Sequence, residues 1–177
     1  MTELLYLKNS YIKEFEATVV SSNNNEIVLD KTVFYPQGGG QIGDTGTLTI
    51  NDTTYIVLNT VKKEGFIIHQ VSEKGLNSGD IVRGIIDWQR RYTIMRMHTA
   101  CHVLSSVFVK EAGALITGNQ LDLQQSRVDF NLENFDREKI QQYINKANDL
   151  LATHQEIAIS VMPRAKAEKI PELAKLA

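Results

Sequence analysis

Trp88-Gln89-Arg90-Arg91-Tyr92-Thr93-Ile94-Met95-Arg96-Met97-His98-Thr99-Ala100-Cys101-His102 is the stretch where the chain changes character. Everything before it is punctuated like a strand protein. From Arg90 to Glu111 the pattern predicts a helix, with Met97, Cys101, Leu104 and Phe108 as its buried stripe at 3–4 spacing. His98 and His102 stand at the margin of that stripe. Four residues apart on a helix, their imidazoles share one face and can point at a single metal ion, and neutral imidazole suits zinc. The spacing also arises by chance on core and surface helices, so it leaves both readings open. The His-Glu-x-x-His metalloprotease pattern needs a glutamate where Thr99 stands, which excludes that class. Cys101 reads as a small buried thiol. Arg83, Arg90, Arg91 and Arg96 concentrate charge at the helix start. They are either an ordinary solvated face or a site for phosphates near the histidines.

Towards the N-terminus, residues 16–22 and 26–30 are rich in Val and Ile around Asn23-Asn24-Asn25. Asparagine tolerates the left-handed turn conformation, so this is a predicted β-hairpin. Thr32-Val33-Phe34-Tyr35-Pro36-Gln37-Gly38-Gly39-Gly40-Gln41 follows, and five of the eleven glycines fall within residues 38–46. Such a loop is either a tight connection or a bare backbone that lets a ligand approach, with Gln41 offering an amide. It matches neither the Walker nor the dinucleotide glycine pattern. Further strands are expected at Leu48–Ile50, Tyr55–Val57, Phe66–Val71 and Gly79–Asp87, with turns at Asn51-Asp52 and Lys63-Glu64-Gly65. Short strands with turns every ~8–12 residues suggest a small β-barrel or curled sheet. His69 is expected in its core or at an edge.

Beyond the helix, Gln120–Leu123 and Ser126–Leu132 read as a strand pair. Asn134 or Asp136 can cap a helix running to about His154, itself expected at the surface. Ile157–Val161 alternates like a strand, Pro163 can open a short helix and Pro171 interrupts it. The expected class is α+β: a β-barrel-like N-terminal domain, residues 1–87, on an α/β two-layer core, residues 88–177.

With 177 residues, 23% charged and 42% hydrophobic, the profile is that of an ordinary globular chain. A formal net charge of −2 excludes a strongly basic protein, so any nucleic-acid contact must be local. One cysteine cannot form an internal disulfide, and the N-terminus lacks the pattern of a signal peptide. No apolar run approaches the ~20 residues that cross a membrane. A cytoplasmic protein with no obligate protein partner is the expectation.

Taken together, the Thr32–Gln41 segment, Gly43-Asp44-x-Gly46, Asp87-Trp88-x-x-Arg91, Met95-Arg96-Met97-His98-Thr99-Ala100-x-His102, Ser126-Arg127-x-Asp129-Phe130 and the stretches Met162–Arg164 and Ile170–Leu173 resemble the editing domain of alanyl-tRNA synthetase. They are still more similar to the free-standing AlaX proteins built from that domain. The resemblance covers essentially the whole chain. It implies a β-barrel-like part packed on an α/β editing core, and hydrolysis of serine or glycine esters from mischarged alanine tRNA. It further implies zinc held by His98 and His102 with a later Cys-x-x-x-His pair. That pair would lie some tens of residues beyond Pro171, so the sequence is expected to continue past Ala177. By the same resemblance Gly39, Gly40 and Gln41 line the acyl-adenosine pocket and Thr32 reads the serine hydroxyl. The four arginines would hold the tRNA end. The alternatives are a tRNA-binding module of this fold without activity, or a metal-dependent hydrolase of a small ester.

Overall fold

A computed structural model describes residues 2–170. It is mixed α/β, with a six-stranded closed barrel and four helices among the described residues. The elements are β1 (Glu3–Leu4), α1 (Leu5–Lys8), β2 (Glu14–Asn23), β3 (Glu26–Leu29), β4 (Lys31–Thr32), β5 (Gly46–Ile50), β6 (Thr53–Lys63), β7 (Phe66–Val71), β8 (Ile81–Ile86), α2 (Trp88–Ala112), β9 (Ile116–Gln120), β10 (Arg127–Phe130), α3 (Arg137–Ala152) and α4 (Arg164–Ala167). The barrel runs β2-β3-β7-β6-β5-β8 and closes on itself, every neighbouring pair antiparallel. Closure leaves no unpaired edge.

The turns are where backbone chemistry demands them. Asn24, Asn51 and Glu64 take φ of 57°, 50° and 52°, and Gly65 follows at 85°. These left-handed positions produce the β2–β3, β5–β6 and β6–β7 hairpins. Alternating residues fill the barrel: Ala17, Val19, Ile27, Leu29, Leu48, Val57, Val71 and Val82 are all buried. Phe15 and Phe34 pack edge-on at 5.9 Å in the same core.

A histidine lies inside that core. His69 is fully buried; its Nδ1–H donates to the Ile27 carbonyl at 3.0 Å, and the Thr32 hydroxyl donates to its Nε2 at 2.8 Å. Burial pushes its pKa down to about 4, only partly offset by the Ile27 bond. The unfolded chain, with an ordinary value near 6.5, therefore takes up the proton first as pH falls. The fold should lose about 3 kcal/mol between pH 6.5 and 4 on this account. Urea midpoints across that window should fall steeply for the wild type and flatten for His69→Gln; equal slopes would remove His69 as the cause.

At Trp88 strand gives way to helix. Asp87 caps α2, its side chain accepting from the Arg90 N–H, and Gly113 closes it at φ 64°. Asp136 caps α3, accepting from the N–H groups of Glu138 and Lys139. β9 and β10 pair, but β9 lies earlier than Gln120–Leu123. Phe108 of α2 stacks on Phe130 of β10 at 4.2 Å and meets Tyr143 of α3 edge-on at 5.4 Å. Two expectations are corrected. Ile157–Val161 forms no strand, its alternating side chains standing exposed. The fully buried residues of α2 are Arg91, Ile94, Ser105, Val107 and Phe108, while Met97, Cys101 and Leu104 are only half-buried. The expected break at Pro171 and the match at Pro171-Glu172-Leu173 lie outside the described residues.

Candidate active site

The glycine loop joins β4 to β5. Gly39 and Gly40 have φ of 58° and 80°, a conformation only glycine adopts cheaply in succession. Gly38 and Gln41 exchange backbone hydrogen bonds at 3.0 Å each way, which leaves Gly39 and Gly40 exposed at the apex. A side chain at Gly40 would collide with Asn119 of β9, and the Leu121 N–H donates to the Gly40 carbonyl at 2.8 Å. Chain from beyond α2 thus clasps the loop.

That clasp positions Gln41. Its side chain is almost wholly buried, and its Oε1 accepts from His98 Nδ1 at 2.9 Å. With Nδ1 protonated, the lone pair of His98 is on Nε2, the arrangement a metal-ligating imidazole needs from its orienting partner. His98 and His102 lie nearly parallel, ring centroids 4.9 Å apart with 14° between planes. Burial and the neighbouring His102 both lower the His98 pKa, favouring the neutral form. Among the described residues no third His, Cys, Asp or Glu completes a metal cluster. The two imidazoles are the kind of nitrogen donor zinc takes, and Gln41 already orients one of them. Both open onto a cavity of about 910 Å³ whose wall includes Tyr11, Tyr35, Gln41, Tyr92, Arg96 and His154.

The loop is registered against the helix by a buried ion pair. Arg91, two turns before His98, pairs with Asp44, its Nε lying 2.9 and 3.1 Å from the two carboxylate oxygens. The same guanidinium donates to the carbonyls of Val33 at 2.5 Å and Ser10 at 3.1 Å. Asp44 also accepts from the Tyr35 N–H at 2.7 Å, and its backbone carbonyl accepts from the Thr60 hydroxyl. Both ends of the loop are tied to one residue of α2.

Two predicted roles are corrected here. Arg91 does not face a phosphate: it is 3% exposed and spent on Asp44 and two carbonyls. Thr32 does not stand in the cleft with Gln41. It is 0% exposed, and its hydroxyl donates to His69 and accepts from the Phe34 N–H at 3.0 Å. The remaining arginines separate. Arg96 is exposed on the cavity wall, Arg90 donates to the Gly43 carbonyl at 3.1 Å, and Arg83 pairs with Glu14 on the barrel exterior. Cys101 is half-buried, and burial raises its thiol pKa. His154, expected at the surface, is exposed yet lines the cavity, in a left-handed backbone position at φ 51°. Sequence reasoning quoted Asp44 only as part of a motif, without a role, and missed Asn119. Asn119 Oδ1 is buried against Gly40 without a hydrogen-bond partner among the described residues, an acceptor left at the flank of the loop. Nothing in the sequence around Asn119 signals this.

A family model described as tRNA synthetases class II (A) matches residues 4–90, the barrel and the start of α2. The chain is 50% identical to the alanyl-tRNA editing protein AlaX-M of Methanosarcina barkeri, over the whole of this chain and 76% of the relative. It is 44% identical to AlaX-M of Saccharolobus solfataricus, again over the whole chain and 75% of that protein. The alanine–tRNA ligase of Ignicoccus hospitalis is 37% identical over 94% of this chain, which corresponds to 19% of the ligase. Helix, loop and barrel all fall inside the AlaX-M matches, and on that similarity the chain belongs to the AlaX family of alanyl-tRNA editing proteins.

Proposed function

We propose that this protein acts in trans on alanine tRNA carrying the wrong amino acid, hydrolysing the ester of serine and, as a second substrate, glycine. It is an aminoacyl-tRNA deacylase, and its substrate is the charged end of the tRNA. The observation that carries the site assignment is the Gln41–His98 hydrogen bond, which joins the glycine loop to the histidine pair. Zinc held by His98 and His102 would supply a Lewis acid at the ester or its attacking water. The chain's own residues do the rest. Gln41 fixes the imidazole of His98 in one tautomer. The exposed N–H groups of Gly39 and Gly40 are free of the Gly38–Gln41 exchange and suit the oxyanion that develops at the ester carbonyl. Arg96, with Arg90 behind it, offers positive charge to the tRNA phosphates. Serine is selected over alanine by its hydroxyl, because a polar pocket left unpaired by alanine binds it poorly.

The test is single-turnover deacylation of seryl-, glycyl- and alanyl-tRNA(Ala), with and without a metal chelator. Seryl-tRNA should be cleared on the order of a hundredfold faster than alanyl-tRNA, with chelation removing most of the rate. Undiminished tRNA binding without deacylation would identify a binding module instead.

A further inference from the structure

Aromatic side chains in the wall of the histidine cavity form a connected group. Trp88, Tyr92 and Arg96 occur at i, i+4 and i+8 of α2 and so share one face. Trp88 stacks on Tyr92 with centroids 5.6 Å apart and 23° between planes. Tyr11, from the segment between α1 and β2, meets Trp88 at 5.6 Å and 48°. Lys13 places its ammonium 4.7 Å from the Trp88 ring centroid. Trp88 is anchored against the barrel core, whereas Tyr11 and Tyr92 are 57% and 40% exposed. Tyr11, Tyr92 and Arg96 line the same cavity as Gln41, His98 and His102.

We propose that Tyr11 and Tyr92, backed by Trp88 and flanked by Lys13 and Arg96, form a stacking shelf for the unpaired 3′ nucleotides that precede the ester-bearing one. The inference rests on the reading that the substrate is an aminoacylated RNA end. Three observations select this occupant. Aromatic faces interleaved with cations are the usual means of holding single-stranded nucleic acid, since every base has a π-face and every nucleotide a phosphate. A protein of formal net charge −2 carries these cations locally, beside the site. Tyr92 precedes His98 by six residues, about 9 Å along the helix axis, which is the length of two to three stacked nucleotides at about 3.4 Å each. With the ester at the histidines, the preceding bases fall on Tyr92 and Tyr11. Such stacking tolerates any base, so the shelf contributes affinity and alignment but no sequence selection.

Trp88 is the only tryptophan of the chain, so its fluorescence reports this place alone. The probe is an unacylated single-stranded oligoribonucleotide ending in CCA, titrated into the intact chain, with a blunt duplex as comparison. Saturable change in Trp88 emission is expected with the single strand and not with the duplex. Tyr11→Ala and Tyr92→Ala should each weaken binding about tenfold to a hundredfold, and Tyr92→Phe should restore it. Tyr11→Ala keeps the test decisive if Tyr92→Ala fails to fold. Unchanged affinity in a folded Tyr11→Ala chain would overturn the proposal, as would self-association of the wild type that buries these tyrosines in place of RNA. The probe carries no ester, so its binding is read independently of deacylation: loss of deacylase activity with intact shelf binding sinks the editing reading alone.

Discussion

Replacing Arg91 by alanine should destabilise the protein by about 3–5 kcal/mol, the largest effect expected from any single substitution here. The reason is the asymmetry of buried charge. Asp44, 4% exposed, would keep its charge without its partner, and the Val33 and Ser10 carbonyls would lose a donor. Asp44→Ala should cost a comparable amount by stranding the guanidinium. The double variant Arg91→Met with Asp44→Ala should recover part of the loss, because two apolar groups leave no charge unsatisfied. Chemical denaturation of the three variants checks this. A loss below about 1 kcal/mol for Arg91→Ala would mean that water reaches the pair and that it is no strut.

Replacing Gln41 by alanine should weaken zinc binding or deacylation about tenfold to a hundredfold, the usual cost of removing the partner that orients a metal-ligating imidazole. The fold should be little affected, since the backbone exchange between Gly38 and Gln41 and the clasp by Leu121 do not involve the side chain. Gln41→Glu is the informative comparison. It keeps an acceptor for His98 Nδ1–H, so it should retain most of the affinity that alanine loses. Competition with a chromophoric chelator measures the metal side, and single-turnover deacylation measures the chemistry. Equal affinity in all three proteins would separate Gln41 from the histidine pair.

The barrel was legible because its turns rest on single residues with positive φ and its core on strict alternation. Asn24 and Gly65 sit where the pattern placed them, and Ala17, Val19, Ile27 and Leu29 point inward as period two requires. The buried face of α2 was harder to see. It carries Arg91, half-buried His98 and Ser105, so its pattern does not look apolar, and the stripe drawn through Met97 and Leu104 lies beside it. Arg91 read as one of four surface cations because its partner Asp44 lies 47 residues away, a distance over which sequence spacing says nothing. Thr32 failed for a related reason. A hydroxyl beside a glycine loop looks like a ligand group, yet the buried His69 on β7 claims it. Ile157, Ile159 and Val161 alternate as a strand should, but a strand needs a neighbour, and these side chains stand 67%, 82% and 97% exposed. The HxxxH pair and the Gln41 loop, far apart in sequence, meet through the His98–Gln41 hydrogen bond.

Under the proposed function, His98 and His102 hold a catalytic zinc ion for editing. The most direct measurement compares bound zinc and seryl-tRNA(Ala) deacylation in the wild type and in the double variant His98→Ala with His102→Ala. Zinc should accompany the wild type, and both zinc and activity should be lost from a double variant whose circular dichroism and melting are near wild type. A folded double variant with unchanged zinc occupancy and rate would contradict the account.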